Sequence, residues 1–521
     1  MATENLTDCI GFWARRWPEK PVAIDKRRAL TWQQLHHSSE RIAAGLMALG
    51  VKRGDAVGIL LRNRVEFLEA EFGAIKSGAA LALLNPRHTP REMAFPLMDA
   101  RIKIVLTEAE FLPLFEAVRP NIDHAFLVYA VDADSSVRSF EDLAALEPIG
   151  GLPQLYGSDI ALICYTSGTT GRPKGAMLSH HAIFSGAVVK ILATGQVSSD
   201  RLLMPLPLAY TGGAVGLIRD TILLGATAYL IDGDAGQYLD LIERERINHI
   251  AGVPVMFESL MNHPRFAHTN LSCVRQAVTG GATPSLRLLN TFHERGILLV
   301  QGYGLTEAGG SHVTLLFGED AQRKLGFAGR PLPNIGVKVR RADDSPAAVD
   351  EPGEIWVHGP TLMSGYLNNP ALTAEVLVDG WLKTGDVGFF DAEGYLKIVD
   401  RSKDMLISGG LNVYPAELER VLATVPGLKE FAVIGVPDTR WGEVPLMVVA
   451  QGLETLDLAG LRVFCERELA DYKRPRYIVN YEQPLPRTFS GKIQKAVLRQ
   501  HYQAVPEQSV DLKGLSRRES V

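Results

Sequence analysis

The amino-acid sequence predicts a multidomain α/β protein. A large N-terminal domain of α/β layers with a β subdomain would be followed by a small α+β domain. Three observations carry this reading. The chain has 521 residues, too many for one core at about 150 residues per domain. Strand-length apolar runs alternate with amphipathic stretches through the first three hundred residues, as parallel α/β layers require. Beyond Gly326 the texture changes to short strands with turn signals, and a charged break at Asp400-Arg401-Ser402-Lys403-Asp404 precedes a compact α+β pattern.

In chain order, Thr31 with Gln34 forms a capping box that opens an amphipathic helix running through residue 46. Residues 56–61, 79–84 and 102–106 read as strands, with a helix at 65–76 between the first two. Residues 131–158, broken by acids, glycine and proline, read as an irregular surface connector. A second α/β series spans residues 160–304, with strands at 160–165, 226–231, 249–253 and 298–300 and a helix capped by Ser179 running to residue 192. Residues 337–340, 353–357 and 394–398 read as antiparallel strands. The expected division is an N-terminal domain at 1–400, a charged break at 401–404, a second domain at 405–505 and a flexible tail at 506–521.

The chain is 46% hydrophobic and 22% charged, the balance of a soluble globular protein. Its 54 basic and 59 acidic residues give a net charge of −5, which excludes a chain-wide basic footprint for nucleic acid. The charge is uneven: from Tyr472 to Gln500 seven Lys or Arg stand against one acid, Glu482. Cys9, Cys164, Cys273 and Cys465 lie far apart, without zinc-ligand spacing or a disulfide framework. The first twenty residues contain Asp8, Arg15 and Arg16 and lack a signal-peptide core. No uninterrupted apolar run approaches 18 residues, so no transmembrane helix is expected, and a cytoplasmic location is. The adjacent pairs His36-His37 and His180-His181 point apart on a helix and cannot chelate one ion.

The strongest local signal is Tyr165-Thr166-Ser167-Gly168-Thr169-Thr170-Gly171-Arg172-Pro173-Lys174-Gly175. Glycines let backbone N–H groups close around phosphate oxygens, hydroxyls add donors, and a lysine supplies countercharge. The spacing is not that of a Walker A loop. Read without context, the segment is a Gly/Thr surface loop, an account that its density of phosphate-binding residue types disfavours.

At this loop the chain resembles the adenylate-forming superfamily of acyl-CoA synthetases, aryl-CoA ligases, luciferases and peptide-synthetase adenylation domains, and further motifs of that superfamily recur in order along nearly the whole chain. The resemblance implies ATP binding by Thr166, Ser167, Gly168, Thr169, Thr170, Gly171 and Lys174. Gln301-Gly302-Tyr303-Gly304-Leu305-Thr306-Glu307 is similar to the segment in which Tyr303 stacks on adenine between Gly302 and Gly304. There Thr306 touches phosphate and Glu307 holds Mg²⁺. Lys383-Thr384-Gly385-Asp386 resembles the segment whose aspartate bonds the ribose hydroxyls. Residues 400–404 resemble the hinge, with Arg401 reaching ribose and Lys403 as pivot. Residues 486–495 resemble the closing motif, which makes Lys492 the catalytic lysine. Taken singly, these would be a capping turn, a β-turn, a surface ion-pair cluster and a solvated lysine.

The chemistry implied suits these residue types. A carboxylate attacking an anionic phosphate meets charge repulsion, which a bridging lysine and Mg²⁺ offset. Acid and ATP would give acyl-AMP and pyrophosphate; the domain beyond the hinge would then rotate, withdraw Lys492 and admit a thiol. Residues 408–415 resemble the loop in which Gly409 and Gly410 line the pantetheine tunnel. Residues 440–443 and 472–476, with Asn85-Pro86-Arg87, are similar to halobenzoate-type aryl-CoA ligases. That likeness implies that Tyr472 stacks on the nucleotide end of coenzyme A and that Arg474, Arg476 and Arg87 meet its phosphates.

For the acid, residues 204–213 align with a segment that usually carries an aromatic–His pair, replaced here by Ala209 and Tyr210. Tyr210 either lines the acid pocket or packs in the core. The ammonium-binding aspartate of amino-acid-activating relatives is absent, which argues against amino-acid substrates. Gly280, Gly281 and Gly309 suggest room for a medium-sized apolar acid. The expected enzyme is an AMP-forming acid–CoA ligase using ATP, Mg²⁺ and coenzyme A, with homodimerisation left open. A loader of a carrier protein and a catalytically inactive nucleotide-binding homologue are the alternatives.

Overall fold

The structure is a computed structural model. It describes residues 5–134, 137–146, 150–166, 173–401, 404–408, 411–451, 453, 456–488 and 491–513. The chain divides into two compact units: Met1–Val337 with Trp356–Lys383, and Lys338–Ile355 with Thr384–Val521.

The first unit contains two sheets. In the seven-stranded sheet the order is Gly365–Tyr366, Lys174–Ser179, Ile160–Thr166, Ala80–Leu83, Ala56–Leu60, Ile104–Glu108 and Leu127–Val131. The last five are mutually parallel, and the first two join antiparallel. Ala80–Leu83 and Ile104–Glu108 are buried along their whole length; the first reads as an unbroken apolar run, whereas the second ends on the buried polar pair Thr107 and Glu108. The nine-stranded sheet runs Arg330–Pro331, Thr314–Leu315, Leu299–Tyr303, Gln276–Thr279, His249–Gly252, Arg201–Met204, Thr227–Leu230, Pro21–Ile24 and Ala29–Thr31. Helices Ala235–Glu245, Pro254–Asn262 and Leu286–Glu294 lay Leu239, Ile242, Phe257, Leu260, Leu288 and Phe292 onto Ile250, Ala277 and Leu299.

The expected helices form where their caps place them. Helix Trp32–Ala48 starts at Thr31 with both bonds of the capping box made, and Ser179 caps His180–Thr194. Several strands are not legible in the sequence, among them Lys174–Ser179, Arg201–Met204 and Gln276–Thr279. The first begins on a lysine at the edge of a polar loop and exists because Ile160–Thr166 supplies its ladder. The connector also holds more order than expected. Ser139 and Asp142 form a capping box on helix Phe140–Ala144, which packs on Trp32–Ala48 where Gly45 has no room for a Cβ, its ideal position lying 2.0 Å from the Leu143 carbonyl oxygen.

Helix Ile218–Leu224 carries two adjacent buried charges. Arg219 pairs with Glu71 of helix Val65–Lys76, their side chains 1% and 0% exposed. Asp220 pairs with Lys190 of helix His180–Thr194. The Lys190 ammonium also donates to the Gly216 carbonyl, so helix Ile218–Leu224 and the turn before it are tied to their neighbours by charge as well as by packing.

In the second unit, strands Trp381–Phe390 and Leu396–Arg401 pair antiparallel from Asp386↔Arg401 to Phe390↔Leu396. The charged break expected at 400 is therefore strand through Arg401, because the partner strand continues to pair there. A six-stranded sheet orders Leu411–Val413, Leu406–Ser408, Gly442–Gln451, Tyr477–Asn480 and Val510–Asp511, with Glu430–Asp438 also on Gly442–Gln451. The described part of the expected flexible tail is docked: Val510–Asp511 pairs with Tyr477 and Ile478, and Leu512 is 3% exposed in this unit's core. A polar stretch with one buried leucine has no periodicity to announce it. Among the described residues no helix is long and apolar enough to cross a membrane.

Candidate active site

In the first unit, strand Ile160–Thr166 ends on Thr166, whose register partner is Lys174. One rung of the ladder thus holds both ends of the phosphate-loop candidate. Ser167, Gly168, Thr169, Thr170 and Gly171 themselves lie outside the described residues. Across from this rung, strand Leu299–Tyr303 runs into a short 3₁₀ turn at Thr306–Ala308. The Thr166 hydroxyl donates to Glu307 Oε1 at 3.2 Å, and the Thr306 hydroxyl meets that of Thr211 at 3.1 Å. Thr166, Lys174, Thr306 and Glu307, drawn from two segments more than a hundred residues apart, are thereby brought together.

Tyr366 also belongs to this group, though nothing in the sequence singles it out. Its hydroxyl donates to Glu307 Oε1 at 2.9 Å, and the Lys174 ammonium lies 5.4 Å from its ring centroid, within cation–π range. Burial, and then the Glu307 charge, push its phenol well above the usual tyrosine range, so the phenol stays a proton donor. A two-residue strand with no flanking alternation leaves no period to read; Gly365-Tyr366 becomes strand only because Lys174–Ser179 pairs with it.

Gly302 and Gly304 are glycines because other groups occupy the space where a side chain would go. An ideal Cβ on Gly302 would lie 2.0 Å from His312 Cδ2, and one on Gly304 would lie 2.0 Å from the Ser311 carbonyl oxygen. The His312 imidazole thus packs onto the strand that ends at Tyr303. Burial pushes its pKa down to about 3, so the ring is neutral, and its Nδ1 has no hydrogen-bond partner among the described residues. Gly280 lies beside it, 3.5 Å from an ideal Cβ to His312 Nε2, while Gly281 approaches Val253. Of the acid-pocket candidates, Gly280 therefore lies against His312 and Gly281 against Val253. Gly309 lies against the Thr361 backbone, 2.4 Å from ideal Cβ to carbonyl oxygen, with a left-handed φ of +88°. Tyr210 donates its hydroxyl to Asn85 Oδ1 at 2.6 Å, and the same oxygen accepts the Arg87 backbone N–H at 2.9 Å. Tyr210 and Arg87 thus meet through one side chain. Cys164 is buried with its thiol pushed up to about 12, which removes it as a nucleophile.

In the second unit, Asp386 is buried on a braced turn. Its N–H donates to the Thr384 hydroxyl, which donates to the Ile355 carbonyl at 2.7 Å, and Gly385 N–H donates to Glu354. Asp386 shares a rung with Arg401. The hinge candidate Lys403 lies outside the described residues, but acids on either side are held: Asp400 accepts Ala416 N–H at 2.8 Å, and Asp404 pairs with Arg499 at 2.7 Å. Lys492 sits on a tight hairpin. Thr488 N–H donates to the Lys492 carbonyl at 2.7 Å, Lys492 N–H donates to the Thr488 hydroxyl at 3.2 Å, and Gly491 takes φ +78° between them. Arg487 anchors the turn through the Gly491 carbonyl and Glu430.

The coenzyme A candidates divide. Gly409 and Gly410 lie outside the described residues, next to the rung Ser408↔Leu411. Tyr472 packs its ring against the small unit's core. Arg474 directs its guanidinium at the Leu469 and Glu466 carbonyls, whereas Arg476 pairs with Asp438 and keeps a buried Nε without a hydrogen-bond partner among the described residues.

Matches to known proteins cover both parts of the chain. Residues 12–367 match the AMP-binding enzyme family and residues 417–492 the AMP-binding enzyme C-terminal domain. The long-chain-fatty-acid–CoA ligase FadD13 of Mycobacterium tuberculosis is 37% identical over 476 residues, covering 91% of this chain and 93% of that protein. A feruloyl-CoA synthase of Amycolatopsis sp. is 37% identical over 501 residues, covering 95% and 99%. Among solved structures, the anthranilate CoA ligase AuaEII in complex with anthranoyl-AMP superposes with a TM-score of 0.87 at 28% identity, over 95% of this chain and 97% of that one.

Proposed function

Because the chain belongs to the AMP-binding enzymes, the adenylate-forming superfamily, we propose that it joins a small carboxylic acid to coenzyme A through an acyl-AMP intermediate, releasing AMP and pyrophosphate. The observation that carries this is the group around Glu307. A carboxylate held by two hydroxyls, one of them on a ring 5.4 Å from the Lys174 ammonium, at the ends of two strands, suits a metal-bound triphosphate. Among the described residues no three His, Cys, Asp or Glu gather into a metal cage. Mg²⁺ is commonly held by one or two carboxylates plus substrate phosphates. Glu307 would hold it, and the ion would neutralise phosphate charge.

In this reading Lys174 and the hydroxyls of residues 166–170 receive the triphosphate, and Tyr303 offers its ring to adenine. Thr306, fixed by Thr211, donates to the phosphate at which the acid oxygen arrives. Asp386 and Arg401 take the ribose, and Lys492 bridges the acid oxygen and the α-phosphate. Arg87, Tyr472 and Arg476 serve coenzyme A; Arg474, whose donors reach the nearby Leu469 and Glu466 carbonyls, serves it less directly. The acid, a medium-sized aromatic, alicyclic or fatty acid, would lie along Gly281 and along Gly280 beside His312. Relatives named for fatty and aromatic acids support that range.

The test is ATP- and acid-dependent formation of AMP and CoA thioester across benzoates, cinnamates, alicyclic and fatty acids. At least one acid is expected to give stoichiometric AMP and thioester. Efficient transfer to a holo carrier protein, with no CoA product from any acid, would replace this function with carrier loading. A second expectation concerns the pivot. Lys403→Pro, which stiffens the hinge, should spare acid-dependent ATP–pyrophosphate exchange and slow thioester formation from synthetic acyl-AMP. Equal loss of both would remove the domain alternation.

A further inference from the structure

Glu307 presents its two carboxylate oxygens unequally. Thr166 and Tyr366 both donate to Oε1, at 3.2 Å and 2.9 Å, while Oε2 takes no hydrogen bond among the described residues. A carboxylate loaded on one oxygen cannot swing freely, and its other oxygen is left as the electron-pair donor. Ligating carboxylates are ordinarily held in this way by hydrogen bonds from behind. Tyr366 is the better fixed of the two donors. Its short strand is pinned on both sides, by Ser364 N–H to the Met177 carbonyl at 2.8 Å and Leu367 N–H to the Gly175 carbonyl at 2.7 Å. Its own N–H donates to the Thr373 hydroxyl at 2.9 Å, and Met363 N–H ties the strand to the Glu307 carbonyl at 2.9 Å. The residue is buried, 7% exposed. Its ring meanwhile lies under the Lys174 ammonium.

We propose that Tyr366 is a positioning residue that aims Glu307 Oε2 at the divalent cation and, through its ring, keeps Lys174 in register with that carboxylate. The two charges that a metal–triphosphate must meet, one negative and one positive, are thereby set by a single side chain. Tyr366 touches neither phosphate nor acid in this role. The inference rests on the adenylation reading, and the experiment separates the two. Mn²⁺ serves as the probe, titrated against the full-length protein with α,β-methylene-ATP and followed by electron paramagnetic resonance. Binding of the analogue without metal is followed in parallel. Tyr366→Phe keeps the ring and removes the donor. It is expected to weaken Mn²⁺ about 10-fold or more, the scale on which a lost hydrogen bond to a metal ligand acts, and to leave metal-free analogue binding unchanged. Glu307→Gln should weaken Mn²⁺ further. Tyr366→Phe that binds Mn²⁺ like the wild type, or loses both binding modes together, overturns the positioning role. A wild type that matches Glu307→Gln overturns the positioning role too, and one that fails to bind Mn²⁺ with the analogue overturns the adenylation reading instead.

Discussion

Lys492→Ala is expected to lower acid-dependent ATP–pyrophosphate exchange by about 10²–10³-fold or more, the cost of removing one preorganised transition-state donor (~2.7–4 kcal/mol). The same variant should convert synthetic acyl-AMP and coenzyme A to thioester at close to the wild-type rate. The asymmetry follows from the chemistry. Only the first half-reaction brings two anions together, the acid oxygen and the α-phosphate, so only it needs a cation between them. The second replaces AMP by a thiol at a carbonyl carbon. The hairpin that carries Lys492 is closed by its backbone groups with Thr488 and by Arg487, so truncating the side chain leaves the turn intact. Equal loss in both half-reactions would show that Lys492 does not divide the labour in this way. Lys492→Arg, which keeps charge but offers a planar fork in place of a point charge, should recover only part of the exchange.

Arg219→Met is expected to destabilise the first unit by about 3–5 kcal/mol, because it strands Glu71 as a buried charge without its partner. The two side chains are 1% and 0% exposed, and the guanidinium also lies 5.2 Å from the Phe72 ring centroid. The measurement is the midpoint of denaturant unfolding, followed by a signal that reports the first unit. Glu71→Leu combined with Arg219→Met should recover most of the loss, since two apolar side chains carry no desolvation penalty. If the single substitution proved as mild as a surface change, the pair would have to be hydrated in solution, contrary to its burial. The pair matters to the site because Arg219 and Asp220 fix helix Ile218–Leu224, and Lys190 holds the Gly216 carbonyl at the end of the turn that presents Thr211 to Thr306.

Local signals are legible where local physics decides. The caps at Thr31 and Ser179 place two helices to within a residue at their starts, because a side chain bonding an N–H three residues on is a short-range event. Thr166, Thr306 and Glu307 stand in motifs that carry the family resemblance along the chain. Tyr366 does not, since a lone Gly-Tyr carries no chemistry until the strand from Lys174 lies beside it. His312 is likewise silent. Its importance comes from Gly302, whose missing Cβ leaves the space that the imidazole fills. From Tyr472 to Gln500 the sequence sets seven basic residues against one acid, yet the structure commits Lys473 to Glu417 and Lys495 to Glu419. Counting charges along a chain cannot tell which of them will be neutralised by acids that folding brings alongside.

By itself the sequence determined the α/β class and the order of the motifs, because periodicity, capping and side-chain chemistry are properties of neighbouring residues. Only the tertiary structure decided that Thr166 and Tyr366 share one oxygen of Glu307, that Tyr210 and Arg87 converge on Asn85, and that Arg219 and Glu71 are buried together. Each of those depends on strands and helices from distant parts of the chain packing against one another. That register is set by the summed burial of whole faces, and no single stretch of sequence contains it.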